Sequence, residues 1–137
     1  MSEVLDHVGI RVSDLAASRA FYTAALAPLG FTVVGEAGAE DELGPAVGFG
    51  RPDGDDFWIH EPSDEPGRDV VTRGVHIAFR AADADAMVAF HSAAVAHGGR
   101  NNGDPGPRRE YSAGYHGAFV LDPDGNNIEA VWHAPSG

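Results

Sequence analysis

Apolar side chains fall on every second position at Val8, Ile10 and Val12, and again at Ile77 and Phe79. A period of two belongs to a strand with one buried face, so both stretches are expected to be β-strands. The period then lengthens. Phe21, Ala24, Ala25 and Leu26 recur at the i, i+3, i+4 spacing of a helix packed on a sheet. Asp14 is placed to cap its first free N–H groups, and Pro28 with Gly30 to stop it. Asp83 stands at the same place before a second helical stretch.

These likenesses belong to one internal repeat. HVGIRVSDLAASRAFYTAALAPLG, from His7, aligns without a gap with HIAFRAADADAMVAFHSAAVAHGG, from His76, paired positions lying 69 apart. His7 pairs with His76, Arg11 with Arg80, Asp14 with Asp83, Phe21 with Phe90 and Gly30 with Gly99. Further on, RPDG at 51–54 and DPDG at 122–125 have the proline and glycine of tight turns. They join expected strands at 45–50 and 56–61 in the first copy, and at 116–121 and 127–133 in the second. A run near 31–36 reads as one more strand, whereas its counterpart at 100–112 is so rich in glycine, proline and arginine that it reads as loop. The expected fold is α+β, built of two repeated β-α-β-β-β modules. The expected modules are residues 1–61 and 74–134, joined by a polar linker at 62–73 within a single domain spanning 1–137.

The repeat changes the meaning of the polar positions. If Val8 and Ile10 pack under the helix, His7, Gly9 and Arg11 share the opposite face, as do His76, Ala78 and Arg80. In the last strand Glu129 shares a face with apolar Val131, where a carboxylate needs a partner because burying an unpaired charge is costly. Two neutral imidazoles and one carboxylate in a cleft suit Fe(II), Mn(II), Zn(II) or Ni(II), with open positions for substrate or water. His7, His76 and Glu129 are therefore the expected ligands of one divalent metal ion. A fourth position depends on strand register. Aligning Ile59 with Ile128 sets His60 opposite Glu129 and requires two extra residues in the first hairpin; a gapless hairpin sets Trp58 there instead. Residues 58 and 60 share a face, so His60 as a further ligand and Trp58 as a substrate contact are both expected at the cavity.

Composition narrows the function. A formal net charge of −12 repels nucleic acid and anionic lipid surfaces, so neither is an expected partner. The absence of cysteine excludes disulfides, thiolate catalysis and a cysteine-bound zinc. The start MSEVLDHVGI lacks the basic and apolar regions of a secretion signal, and no apolar run is long enough to cross a bilayer, so the expected location is cytoplasmic. Arg100, Arg108 and Arg109 gather in GGRNNGDPGPRREYSAGYHG, a loop in which Arg109 is a candidate clamp for an anionic substrate.

LDHVGIRVSDLAASRAFYTAAL at the start, GVHIAF at the second module and AFVLDPDGNNIEAV near the end resemble the vicinal oxygen chelate superfamily of glyoxalases, bleomycin resistance proteins and extradiol dioxygenases. The resemblance implies that the two modules form a cupped mixed sheet around a metal cavity, with a divalent metal held at the positions of His7, His76 and Glu129, and a small-molecule substrate that offers it two neighbouring oxygens. The reaction implied is that of a lyase, an isomerase or a ring-cleaving dioxygenase; bleomycin resistance proteins instead sequester a drug without catalysis. Glyoxalase I relies on paired glutamates, a pattern from which this sequence departs. Extradiol enzymes use a histidine and a tyrosine near the metal, for which Tyr115 and His116 are the catalytic candidates and Tyr111 a substrate contact. An edge strand in each module points to a homodimer, the cavity forming either within one chain or between two.

Overall fold

A computed structural model describes residues 4–135. The first unit runs β1 (Val8–Arg11), α1 (Leu15–Leu26), a 3-10 turn (Ala27–Leu29), β2 (Thr32–Ala37), β3 (Ala46–Gly50) and β4 (Phe57–His60). The second runs β5 (His76–Arg80), α2 (Ala84–Ala96), β6 (Arg100–Pro107), β7 (Tyr115–Leu121) and β8 (Asn127–His133). Each forms a four-stranded mixed sheet of the same topology, β1-β4-β3-β2 and β5-β8-β7-β6, in which the first and last strands of the unit pair in parallel. This is the α+β architecture of two β-α-β-β-β modules.

Both helices start where the sequence places their caps. The Asp14 side chain accepts from the Ala17 N–H and Asp83 from the Ala86 N–H, each at the third residue of its helix, satisfying a donor that has no partner within the helix. Gly30, in the left-handed region at φ 86°, closes the first helical segment. Of the strand β1 alternation, Ile10 and Val12 are buried, while Val8 stays 37% exposed at the strand's start.

The stretch at 100–112 departs from the loop expectation. Its first eight residues form β6 against β7, with register shifts between Asn101 and Gly103 and between Gly103 and Gly106. Bulges let one strand carry unpaired residues, which is how Pro105, with no N–H to donate, is tolerated in a ladder.

The helix-side faces of both sheets share one core. Phe21, Tyr22, Phe49 and Phe57 of the first module and Phe90, Val120 and Ile128 of the second are fully buried, and Phe79 of β5 packs edge-on against Phe31 and Phe57. The modules meet chiefly through α1, α2 and the 3-10 turn, and the Phe79–Phe57 contact links β5 to β4.

The β7–β8 turn fastens them further. Tyr22 on α1 donates to the Asp122 carboxylate at 2.5 Å, while Ser13 donates to Asp124 through both its N–H and its hydroxyl. Asn126, fully buried, accepts from the Val75 N–H and donates to the Thr72 carbonyl. Burial and the Asp122 charge hold the Tyr22 hydroxyl well above its ordinary pKa, so it remains a donor.

Candidate metal centre

In the second module, Glu129 sits on β8 between Phe119 of β7 and Ala78 of β5. Only 1% of it is exposed, so its charge has to be answered locally. Two side chains answer it. His76 Nε2 lies 2.8 Å from one carboxylate oxygen, and the Tyr115 hydroxyl donates to the other at 2.5 Å. A side chain at Gly117 would place its Cβ 3.0 Å from the second oxygen, so the missing side chain leaves the carboxylate its room. Burial, then the hydrogen bond and charge of Glu129, push Tyr115 up to about 12, which keeps it protonated and donating. Tyr115→Phe is expected to leave half of a buried carboxylate unanswered and to cost about 1–3 kcal/mol, read by chemical unfolding of the metal-free protein.

Around this cluster the β6–β7 loop is arranged by its own contacts. The Phe119 ring lies over Gly103 and Gly117 and faces His76, with ring centroids 6.2 Å apart. Arg108 stacks over Phe119 at 5.3 Å and donates to the carbonyls of Asp104, Gly106 and Pro107, so its guanidinium is engaged inside the loop. Arg109 lies exposed at the tip, and Tyr111, 61% exposed, rests edge-on against Tyr115.

The first module carries a second polar group. His7 stands exposed just before β1, its Nδ1 2.7 Å from the Asp6 carboxylate. That hydrogen bond raises its pKa above the ordinary value against a smaller desolvation effect, and the charges of Asp6 and Asp55 add to the rise. Trp58 and His60 follow on β4, rings stacked at 29° with centroids 6.3 Å apart. Partial burial, then the charges of Arg11 and His7, lower His60, so its imidazole stays neutral to a more acid pH than a free histidine. These three residues line a hollow of about 400 Å³ with Ala37, Leu43 and Ala46.

Strand pairing settles which of Trp58 and His60 corresponds to Glu129. Gly9 of β1 pairs with Trp58, as Ala78 of β5, its repeat equivalent, pairs with Glu129. Trp58 is the counterpart of Glu129, and His60 that of Val131, one pleat further along. The hairpins match without extra residues, and the position where a second carboxylate would stand holds an indole, which has no lone pair to offer a metal.

The expected donors thus fall into two groups, His76 with Glu129 and His7 near His60. Among the described residues no three His, Asp or Glu side chains converge closely enough to hold a metal ion. His116 does not join Tyr115. Paired across from Trp132, it lies on the helix-side face, contacts that ring at a centroid distance of 5.0 Å, and bonds through Nδ1 to the Gly114 carbonyl. Adjacent strand residues point to opposite faces, so only one of this pair can meet Glu129.

Residues 4–130 match the family model of the Glyoxalase/Bleomycin resistance protein/Dioxygenase superfamily. Among solved structures, a glyoxalase/bleomycin resistance protein from Albidiferax ferrireducens T118 is similar at 29% identity, covering 95% of this chain and 98% of that one with a TM-score of 0.74. A glyoxalase-related enzyme from Fulvimarina pelagi shares the fold at 18% identity, 96% and 88% coverage and a TM-score of 0.70. Glyoxalase I from Zea mays does so at 23% identity and a TM-score of 0.67, with 93% of this chain matched to 45% of the maize chain. No curated protein matches the chain.

Proposed function

Because the chain belongs to the Glyoxalase/Bleomycin resistance protein/Dioxygenase superfamily, we propose that it is a metal-dependent enzyme acting on a small molecule with two neighbouring oxygens. The observation that carries the reading is the contact between Glu129 and His76: a buried carboxylate whose oxygen meets an exposed imidazole nitrogen. Two such atoms sharing a proton are a pair from which a transition metal can displace that proton, since ligation requires neutral imidazole and ionised carboxylate.

His7 is the third donor. With no three donors converging among the described residues of one chain, the site is completed between two copies: His7 of one protomer with His76 and Glu129 of the other, twice in a twofold dimer. A divalent cation bound there would polarise the substrate oxygens and stabilise the oxyanion formed from them. The chain's own groups do the rest. The Tyr115 hydroxyl keeps Glu129 oriented, and neutral His60, beside the hollow, can accept a proton at its ring nitrogen. Trp58 at the fourth position leaves the metal with three protein donors and more sites open to substrate.

Elemental analysis of anaerobically purified protein beside a His76→Ala variant tests this reading; equal metal in both would overturn it. If iron is found and lost in the variant, oxygen uptake with a catechol separates ring cleavage from elimination or isomerisation, which zinc, nickel or manganese would favour. Metal retained without turnover on any vicinal diol or hydroxy-carbonyl would point to sequestration.

Metal binding should also depend on pH through His7. Its raised pKa means that protons compete with metal already above the ordinary histidine value of about 6.5. Apparent affinity is therefore expected to fall on acidification from about pH 8 to about pH 6, and Asp6→Asn, which removes the cause of the rise, to move that fall to lower pH. Competition with a chromophoric chelator measures both curves.

A further inference from the structure

We propose that the substrate carries a planar conjugated ring that stacks on Trp58, an inference that rests on reading the first-module hollow as the substrate site. The indole is set as a floor. A Cβ built at Gly48 would lie 2.7 Å from Trp58 Cε2 and Cζ2, and one at Gly35 would lie 2.8 Å from Cη2. Side chains of a sheet stand out from its surface, so a ring this close above two glycines on neighbouring strands lies flat along the sheet. His60 does the same over Gly9, where a Cβ would meet its Nε2 at 2.9 Å, and it continues the plane at 29° to the indole.

The floor is held in place. Trp58 Nε1 donates to Asp55 at 3.1 Å, which fixes the ring's rotation and occupies its only polar atom. The upper π-face is left toward the hollow, with His7 at its margin and Leu43, Ala37 and Ala46 as apolar walls. A tryptophan buried for packing alone would present its face to core side chains; this one rests on backbone at a ligand position and opens upward. Offset stacking of an aromatic guest gains more than burial of an aliphatic one of equal area.

Metal-loaded and chelator-treated Trp132→Phe protein, in which Trp58 is the only tryptophan, reports the occupant through its fluorescence. Catechol and cis-1,2-cyclohexanediol offer the same vicinal oxygens, one on a flat conjugated ring and one on a puckered saturated ring. Catechol is expected to quench saturably and to bind about tenfold more tightly than the diol, with or without metal. Gly48→Ala, which lifts the indole, should remove that preference while leaving the metal content unchanged. Trp58→Leu, followed by calorimetry, should do the same if Gly48→Ala folds poorly. Equal binding of the two diols would overturn the proposal even where metal is bound. So would tetramethylammonium binding as tightly as catechol, which would make the ring, with Asp41 and Glu42 beside it, a cation trap. Loss of metal from wild-type protein, with the ring preference intact, would instead count against the metal reading alone.

Discussion

Co-expressed His7→Ala and His76→Ala chains should recover roughly a quarter of the wild-type metal, although neither variant alone binds any. In a twofold dimer with composite sites, a mixed pair places both defects in one site and none in the other. Random assortment makes about half of the dimers mixed, and each restores one site of two, which gives roughly one quarter. The effect is large because it contrasts nothing with a stoichiometric fraction, and native mass spectrometry can read mixed dimers and their metal together. Mixed dimers that form and stay metal-free would show that the donors do not meet between chains. The geometry behind the expectation is the division of the proposed donors: His76 and Glu129 are in contact, while His7 stands just before β1 in the first module, its Nδ1 against Asp6.

The second large effect falls far from the donors. Asp122→Ala is expected to destabilise the metal-free protein by roughly 3–5 kcal/mol, lowering the thermal midpoint by on the order of ten degrees. One oxygen of Asp122 accepts from the Asp124 and Asn126 N–H groups, the other from the Tyr22 hydroxyl and the Asn126 side-chain amide. All of this is buried, so truncation leaves several donors with neither protein nor water. Tyr22→Phe, which removes one donor and leaves the acceptor otherwise engaged, should cost only about 1 kcal/mol. Denaturant unfolding of both variants checks the ratio; equal losses would mean that the carboxylate is not the centre of the network.

That network also shows what the sequence could and could not convey. The segment DPDGNN read as a turn and as part of a family resemblance, and the turn is there, with Gly125 at φ 88°. Its reach to Ser13 and Tyr22 was not legible, because contacts 100 and 111 positions apart leave no local period. The two histidines were legible as a pair because they open a gapless repeat. The partner of Glu129 was not, since two registers fit the same letters and only the pairing of Gly9 with Trp58 decides between them. Strand β6 was hidden by its composition: glycine and proline argue for a loop, and the ladder with β7 overrides them through bulges. His116 entered the candidate set with Tyr115 through the histidine and tyrosine that extradiol enzymes use, but neighbours in a strand point to opposite faces.

The glycines beneath Trp58 and His60 give this surface a particular kind of heritable plasticity. A glycine codon is a single base change from alanine, and here a methyl group on the backbone would tilt or lift an entire ring without altering any residue that touches a ligand directly. Under the proposed function, a lineage carrying Gly9, Gly35 and Gly48 can thus change which molecules fit its hollow while the proposed donors stay untouched, so ligand preference and metal chemistry are free to diverge at separate rates.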